Sequence, residues 1–136
     1  MYWTLWVAVG VLAVALGCGP EQPPSVIAFG DVHVPASAHD FYETSSGLQG
    51  TMLQARFELP EADLRLLEPS LHCVFGPPSS TPSSVAHVGT NRKSWYAPES
   101  ARLHRECQGR QGRIAYEALA DVSRPGTARV YLLVED

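Results

Sequence analysis

Thr51-Met52-Leu53-Gln54-Ala55-Arg56-Phe57-Glu58-Leu59-Pro60 is the stretch whose pattern decides the fold. Leu53, Ala55, Phe57 and Leu59 occupy alternate positions, with Gln54, Arg56 and Glu58 between them and Met52 on the polar side. Successive side chains of a strand point to opposite faces, so this period of two predicts a strand with one buried face. Upstream, Phe41-Tyr42-Glu43-Thr44 is strand-like and Ser45-Ser46-Gly47-Leu48-Gln49-Gly50 is rich in turn residues, which predicts a hairpin between the two runs.

The same pattern returns at the far end of the chain. Ala128, Val130, Leu132 and Val134 alternate, and Tyr131 and Leu133 on the other side imply that this second face is covered in part. Pro125-Gly126 suits the two central positions of a type II turn leading into that strand. Ile114, Tyr116 and Ala118 alternate with Ala115, Glu117 and Leu119, and Arg102 to Gln108 reads as a further strand carrying Cys107, with a turn at Gly109-Arg110-Gln111-Gly112. Val26-Ile27-Ala28-Phe29-Gly30 reads as an edge strand or a packing segment. Asp31-Val32-His33-Val34 alternates until Pro35 stops it.

Helical periodicity occurs once. Pro60 suits a first helical position, Glu61 and Asp63 place acids at the positive end of the backbone dipoles, and Leu64, Leu67 and Leu71 recur at helical spacing. Pro69 predicts that the regular helix ends near Leu67 or Glu68. The expected architecture is therefore α+β: an antiparallel sheet of about four to five strands with one helix packed on one face. A single domain over residues 26–136 carries it. Gly76 to Ser84, GPPSSTPSS, is expected to be a loop that packs no core and divides the domain into halves, and Val85 to Gly89 a brief extended segment.

From Leu5 to Leu16 the chain is uncharged and almost wholly apolar, and Gly17-Cys18-Gly19-Pro20 ends the run. The run falls short of the about 20 residues that a membrane-spanning helix needs, which favours an export signal. Val14-Ala15-Leu16-Gly17-Cys18 resembles the lipobox of bacterial lipoproteins, although Ala15 stands where that family usually has Leu and no Lys or Arg precedes Leu5. The resemblance implies that residues 1–17 are a signal peptide removed by a peptidase. Cys18 would then become a lipidated N-terminus, and more than one acyl chain gives stable anchoring. An ordinary secretory peptide, or an uncleaved anchor, is the alternative. Gly19 in place of Asp implies, by the same resemblance, the outer membrane, facing the periplasm, in a two-membrane cell. The following residues of 18–25, GPEQPPS, read as a Pro-rich tether that holds the domain off the bilayer.

Further motifs extend the resemblance over most of the mature chain. Val34-Pro35-Ala36-Ser37-Ala38-His39-Asp40-Phe41, the strand ending Arg56-Phe57-Glu58-Leu59-Pro60, Trp95-Tyr96-Ala97-Pro98 and Val130-Tyr131-Leu132 are similar to a group of small uncharacterised bacterial lipoproteins. That likeness implies an exported, lipid-anchored α+β domain and transfers no reaction or catalytic residue.

Removing residues 1–17 leaves roughly 120 residues, room for one modest core. With 45% hydrophobic and 18% charged residues the chain is no disordered acidic tail, and a net charge of −4 argues against nucleic acid as a partner. Three cysteines are present; lipidation of Cys18 leaves Cys73 and Cys107 as a pair, which an oxidising compartment favours as a disulfide. Two free thiols are one alternative. A Cys/His site with His72 and His104 is another, although the spacing matches no common zinc motif.

His33, His39, Asp31 and Asp40 form the densest group of potential metal ligands, yet no third ligand lies at a telling distance. Arg92-Lys93-Ser94-Trp95-Tyr96 is the most binding-like patch, with Arg92, Lys93, Trp95 and Tyr96 suited to anions, sugars or lipid head groups. The plainer reading has Trp95 and Tyr96 plugging one end of the core. Arg102, Arg105, Arg110 and Arg113 extend the basic character, interrupted by Glu99 and Glu106. There is no Gly-x-Ser-x-Gly elbow and no His-Glu-x-x-His, and nothing calls for a cofactor. The expected role is non-enzymatic: an anchored envelope protein that binds an envelope partner or anionic head groups. The alternatives are a small periplasmic metal-dependent hydrolase and an inhibitory or immunity-type protein.

Overall fold

The computed structural model describes residues 21–46, 52–82 and 93–136, so Cys18, the apolar run before it, Val85 to Gly89 and Arg92 lie outside the described residues. The strands are β1 (Val26–Ile27), β2 (Val32–His33), β3 (His39–Ser46), β4 (Met52–Pro60), β5 (His104–Gln111), β6 (Ile114–Asp121) and β7 (Thr127–Glu135). Among the described residues the main sheet has five strands in the order β3-β4-β7-β6-β5, every neighbouring pair antiparallel. The expected hairpin of β3 with β4 is present, and β1 with β2 forms a separate small hairpin.

The alternation in β4 and β7 becomes an inner sheet face. Leu53, Ala55, Phe57 and Leu59 stand opposite Val134, Leu132, Val130 and Ala128, and β6 continues these rows with Tyr116, Ala118 and Ala120. The small Ala118 and Ala120 leave room for larger partners above. Leu64, Leu67 and Leu71 fill that room together with Ile27, Val32, Val34 and Phe41. Phe57 and Leu67 are fully buried, and a buried side chain of that size stabilises the fold by about 1.5–3 kcal/mol.

The single regular helix is not formed. Residues Glu61–Leu66 make a 3-10 helix and Glu68–Leu71 one short α-helical turn, α1. Leu64 and Leu67, three residues apart, repeat on one side of a 3-10 helix as they do on an α-helix, so the leucine spacing does not separate the two. Pro69 does not end the helical segment; it sits in the first turn of α1, where a missing N–H costs nothing. His72 then closes α1 in the left-handed conformation, φ 55°.

Cys73 and Cys107 form a disulfide, with Cα atoms 5.6 Å apart, that ties the end of α1 to β5. The crossing there is tight: a Cβ on Gly109 would collide with the Leu71 carbonyl oxygen and lie 2.6 Å from that of His72. Gly109 is therefore a strand residue that lets backbone pass over it, and β5 runs on through Gln111 instead of ending at Gln108. The turn into β6 is reduced to Gly112-Arg113, with Gly112 at φ 59°. Pro125-Gly126 behaves as expected: Gly126 has φ 78° and the Thr127 N–H reaches the Arg124 carbonyl at 3.3 Å.

Two supposedly unstructured segments are docked on sheet edges. The Gly76 N–H donates to Glu106 O at 2.9 Å and Ser79 bridges His104, so this part of the Ser/Pro-rich loop shields β5. At the other edge Glu21 and Phe41 exchange backbone hydrogen bonds of 3.0 and 3.3 Å, so the described part of the tether meets β3 at Glu21.

Candidate binding surface on the second sheet face

The register fixes which side chains share the outer face. One row reads Tyr42, Arg56, Tyr131, Leu119 and Glu106 across β3, β4, β7, β6 and β5. The next row, toward one end of the sheet, reads His39, Glu58, Arg129, Asp121 and His104. A purely solvated face would leave Tyr131 and Leu119 wet. They are buried instead, beneath Tyr96 of the segment that precedes β5.

Tyr96 and Trp95 thus do not plug an end of the core; they build a second, smaller cluster on the opposite side of the sheet. The Tyr96 N–H closes a turn onto Lys93 O at 3.0 Å, and a short 3-10 turn at Pro98–Ser100 follows. Farther on, the Leu103 N–H donates to Ser123 Oγ at 3.1 Å and the Val122 N–H to Leu103 O at 2.9 Å, pinning the end of the segment. Tyr96 meets Tyr131 edge-on at 5.6 Å, Trp95 meets Tyr96 edge-on at 6.0 Å, and Trp95 stacks on Tyr42 at 5.6 Å. Such pairs contribute about 0.5–1.5 kcal/mol each beyond their buried area.

Arg56 completes the arrangement. Its guanidinium carbon sits 4.7 Å from the Tyr42 ring centroid and one N–H donates to the Trp95 carbonyl at 3.3 Å. Arg56 Nε is buried and finds no hydrogen-bond partner among the described residues. Of the residues singled out by sequence, Tyr96 is a buried anchor, Trp95 is partly exposed and Lys93 is exposed. Tyr42 and Arg56 belong to the same surface and were missed. Their outward alternation was visible, but the strand register that places them under Trp95 was not.

The charged row has a different chemistry. Glu58 is 8% exposed, and Arg129 donates to its Oε1 through Nε at 2.9 Å and a terminal nitrogen at 2.8 Å, with Arg124 at 3.4 Å. Burial alone would raise the Glu58 pKa, but the Arg129 hydrogen bonds and the charges of Arg129 and Arg124 outweigh it and hold Glu58 below its ordinary value. His39 Nδ1 donates to the Glu58 carbonyl at 3.1 Å, and a bulge in β3 puts Asp40 at φ 54°.

His39, Asp40 and Glu58 bring ligand atoms within 4.8 Å of one another. A cation here would compete with Arg129 for the Glu58 oxygen. Only half of the group expected from sequence contributes: His33 and Asp31 lie in and beside the β1-β2 hairpin, outside this cluster. Glu58, the missed member, comes from the neighbouring strand.

His104 is buried on the outer face, its Nε2 3.0 Å from Glu106 Oε1, between shallow clefts of about 340 and 360 Å³. Ser79, the nearby hydroxyl, pairs with Thr81 Oγ1 at 2.7 Å. The Cys/His site does not form. Cys107 faces inward and is bonded to Cys73, His104 faces outward, and the His72 ring packs on Tyr116 at 5.6 Å.

No family model matches the chain, and no curated protein or solved structure matches it.

Proposed function

We propose that this protein is a membrane-anchored lipoprotein of the cell envelope that binds without catalysis, through the surface around Trp95. The anchoring part rests on the lipobox-like Val14 to Cys18 at the end of a short apolar run. A Cys73–Cys107 pair suits the oxidising side of a membrane. The binding part rests on one observation: an indole left partly exposed while Tyr42, Tyr96 and Arg56 hold it rigidly in place. A held aromatic two residues after the exposed Lys93 offers a flat apolar surface and a hydrogen-bonding charge at little cost in side-chain entropy. An envelope protein or a lipid head group fits that chemistry.

Two measurements test the reading. Intact mass of the mature N-terminal peptide is expected to show Cys18 as the first residue with diacylglyceryl and acyl additions; an unmodified N-terminus, or a wholly soluble protein, overturns the anchor. Cross-linking in intact cells is expected to give an adduct with wild type that is lost in Trp95→Ala. An unchanged adduct removes Trp95 from the binding surface.

A further inference from the structure

The position of Glu21 links the proposed lipid anchor to the Trp95 surface. Glu21 is bonded through both backbone groups to Phe41 on the open edge of β3, and it lies only three residue steps after Cys18. Fully extended, three residues span at most about 11 Å. A domain of this size has a radius of gyration of about 13 Å, so the anchor cannot swing to the far side of the molecule. The bridge is antiparallel, which aims the amide end of Glu21 along β3 toward Tyr42 and Glu43.

Tyr42 is the residue on which Trp95 stacks at 5.6 Å. We infer that the bilayer holding the anchor is itself a ligand of this surface: Trp95 and Tyr42 lie at the head-group level of the membrane, with Lys93 reaching the phosphates. This rests on the proposed lipidation of Cys18. Tryptophan and tyrosine favour this depth because one end of each ring system is apolar and the other hydrogen-bonds, and a lysine stem can lie along apolar surface while its ammonium stays wet. The contact is aromatic more than electrostatic. Glu21, Asp40 and Glu43 are exposed along the same edge and offset the charge of Lys93, so anionic lipid is not required.

The sequence supplies the probe. Tryptophan occurs at Trp3, Trp6 and Trp95, so a chain processed before Cys18 reports from Trp95 alone. Mature lipidated protein is reconstituted in phosphatidylcholine vesicles that carry a spin label at the head group or at the end of the acyl chain. Loss of Trp95 emission with the head-group label, smaller loss with the deep label, and little change on adding salt or anionic lipid are expected. Glu21→Pro removes the N–H that bonds Phe41, and is expected to reduce the quenching while the protein still floats with vesicles.

The outcomes separate the two readings. Failure to float with vesicles overturns lipidation and this inference together. Flotation with undiminished Trp95 emission overturns this inference alone, leaving the surface for a protein partner or a second copy. Quenching that Glu21→Pro leaves unchanged contradicts the docked tether as its cause.

Discussion

Phe57 and Glu58 are neighbours in β4, both almost fully buried, and they face opposite sides of the same sheet. On the inner side Phe57 meets Val130, and the leucines of the helical segment close over that row. On the outer side Glu58 meets Arg129, and one residue pair farther along Arg56 meets Tyr131 beneath the Trp95 segment. The inner face is uniform and its burial supplies stability. The outer face changes from charged to aromatic within two residues, is closed by one loop, and leaves Trp95 partly exposed at its margin. A surface spent only on stability would not need an arginine bonded to the backbone of a partly exposed tryptophan, and this contrast directs the functional reading to the outer face.

Substitutions on the two faces should therefore separate stability from binding. Phe57→Ala is expected to cost about 3–5 kcal/mol in denaturant unfolding, because the cavity opens in the middle of the inner face. A loss near 1 kcal/mol would mean that the inner layer is loosely packed. Reduction of the Cys73–Cys107 disulfide, 34 residues apart in sequence, is expected to cost about 3–4 kcal/mol on the chain-entropy model, read as a fall in the thermal midpoint.

Glu58→Gln should cost about 2 kcal/mol near neutral pH, through weakened charge-assisted hydrogen bonds to Arg129. Its pH dependence has a definite sign. The folded pKa of Glu58 lies below its ordinary value of 4.5, so the contribution is present above that value and is lost as pH falls through the folded pKa. Wild type and Glu58→Gln are expected to converge in strong acid; a difference that grows on acidification contradicts the ion pair. Trp95→Ala is expected to cost about 1–3 kcal/mol of stability from its two aromatic contacts and to have the largest effect on binding.

The same contrast explains what the sequence could disclose. The inner face was legible because alternation in residues 53–59 and 128–134 needs no knowledge of partners, and Pro125-Gly126 carries its turn type in its own backbone preferences. Gly109 was not: in sequence it marks a turn, and only the Leu71 and His72 carbonyls pressed against it show a strand under a crossing chain. The helical segment failed for a local reason, since Leu64 and Leu67, three apart, satisfy a 3-10 helix as well as an α-helix. Trp95 and Tyr96 stood out as aromatics beside cations, yet their face depends on Tyr42, Arg56 and Tyr131, which come from three other strands. Glu58 joined His39 and Asp40 for the same reason: cross-strand register is a tertiary property that no single run of residues displays.

The division of labour between the faces is tested most directly by placing a photoreactive phenylalanine analogue, in intact cells, at Lys93, two residues before Trp95, and separately at Leu66, which is exposed on the inner-side layer. Adducts with lipid or an envelope partner from position 93 and none from position 66 are the predicted result; adducts from 66 with none from 93 would contradict it.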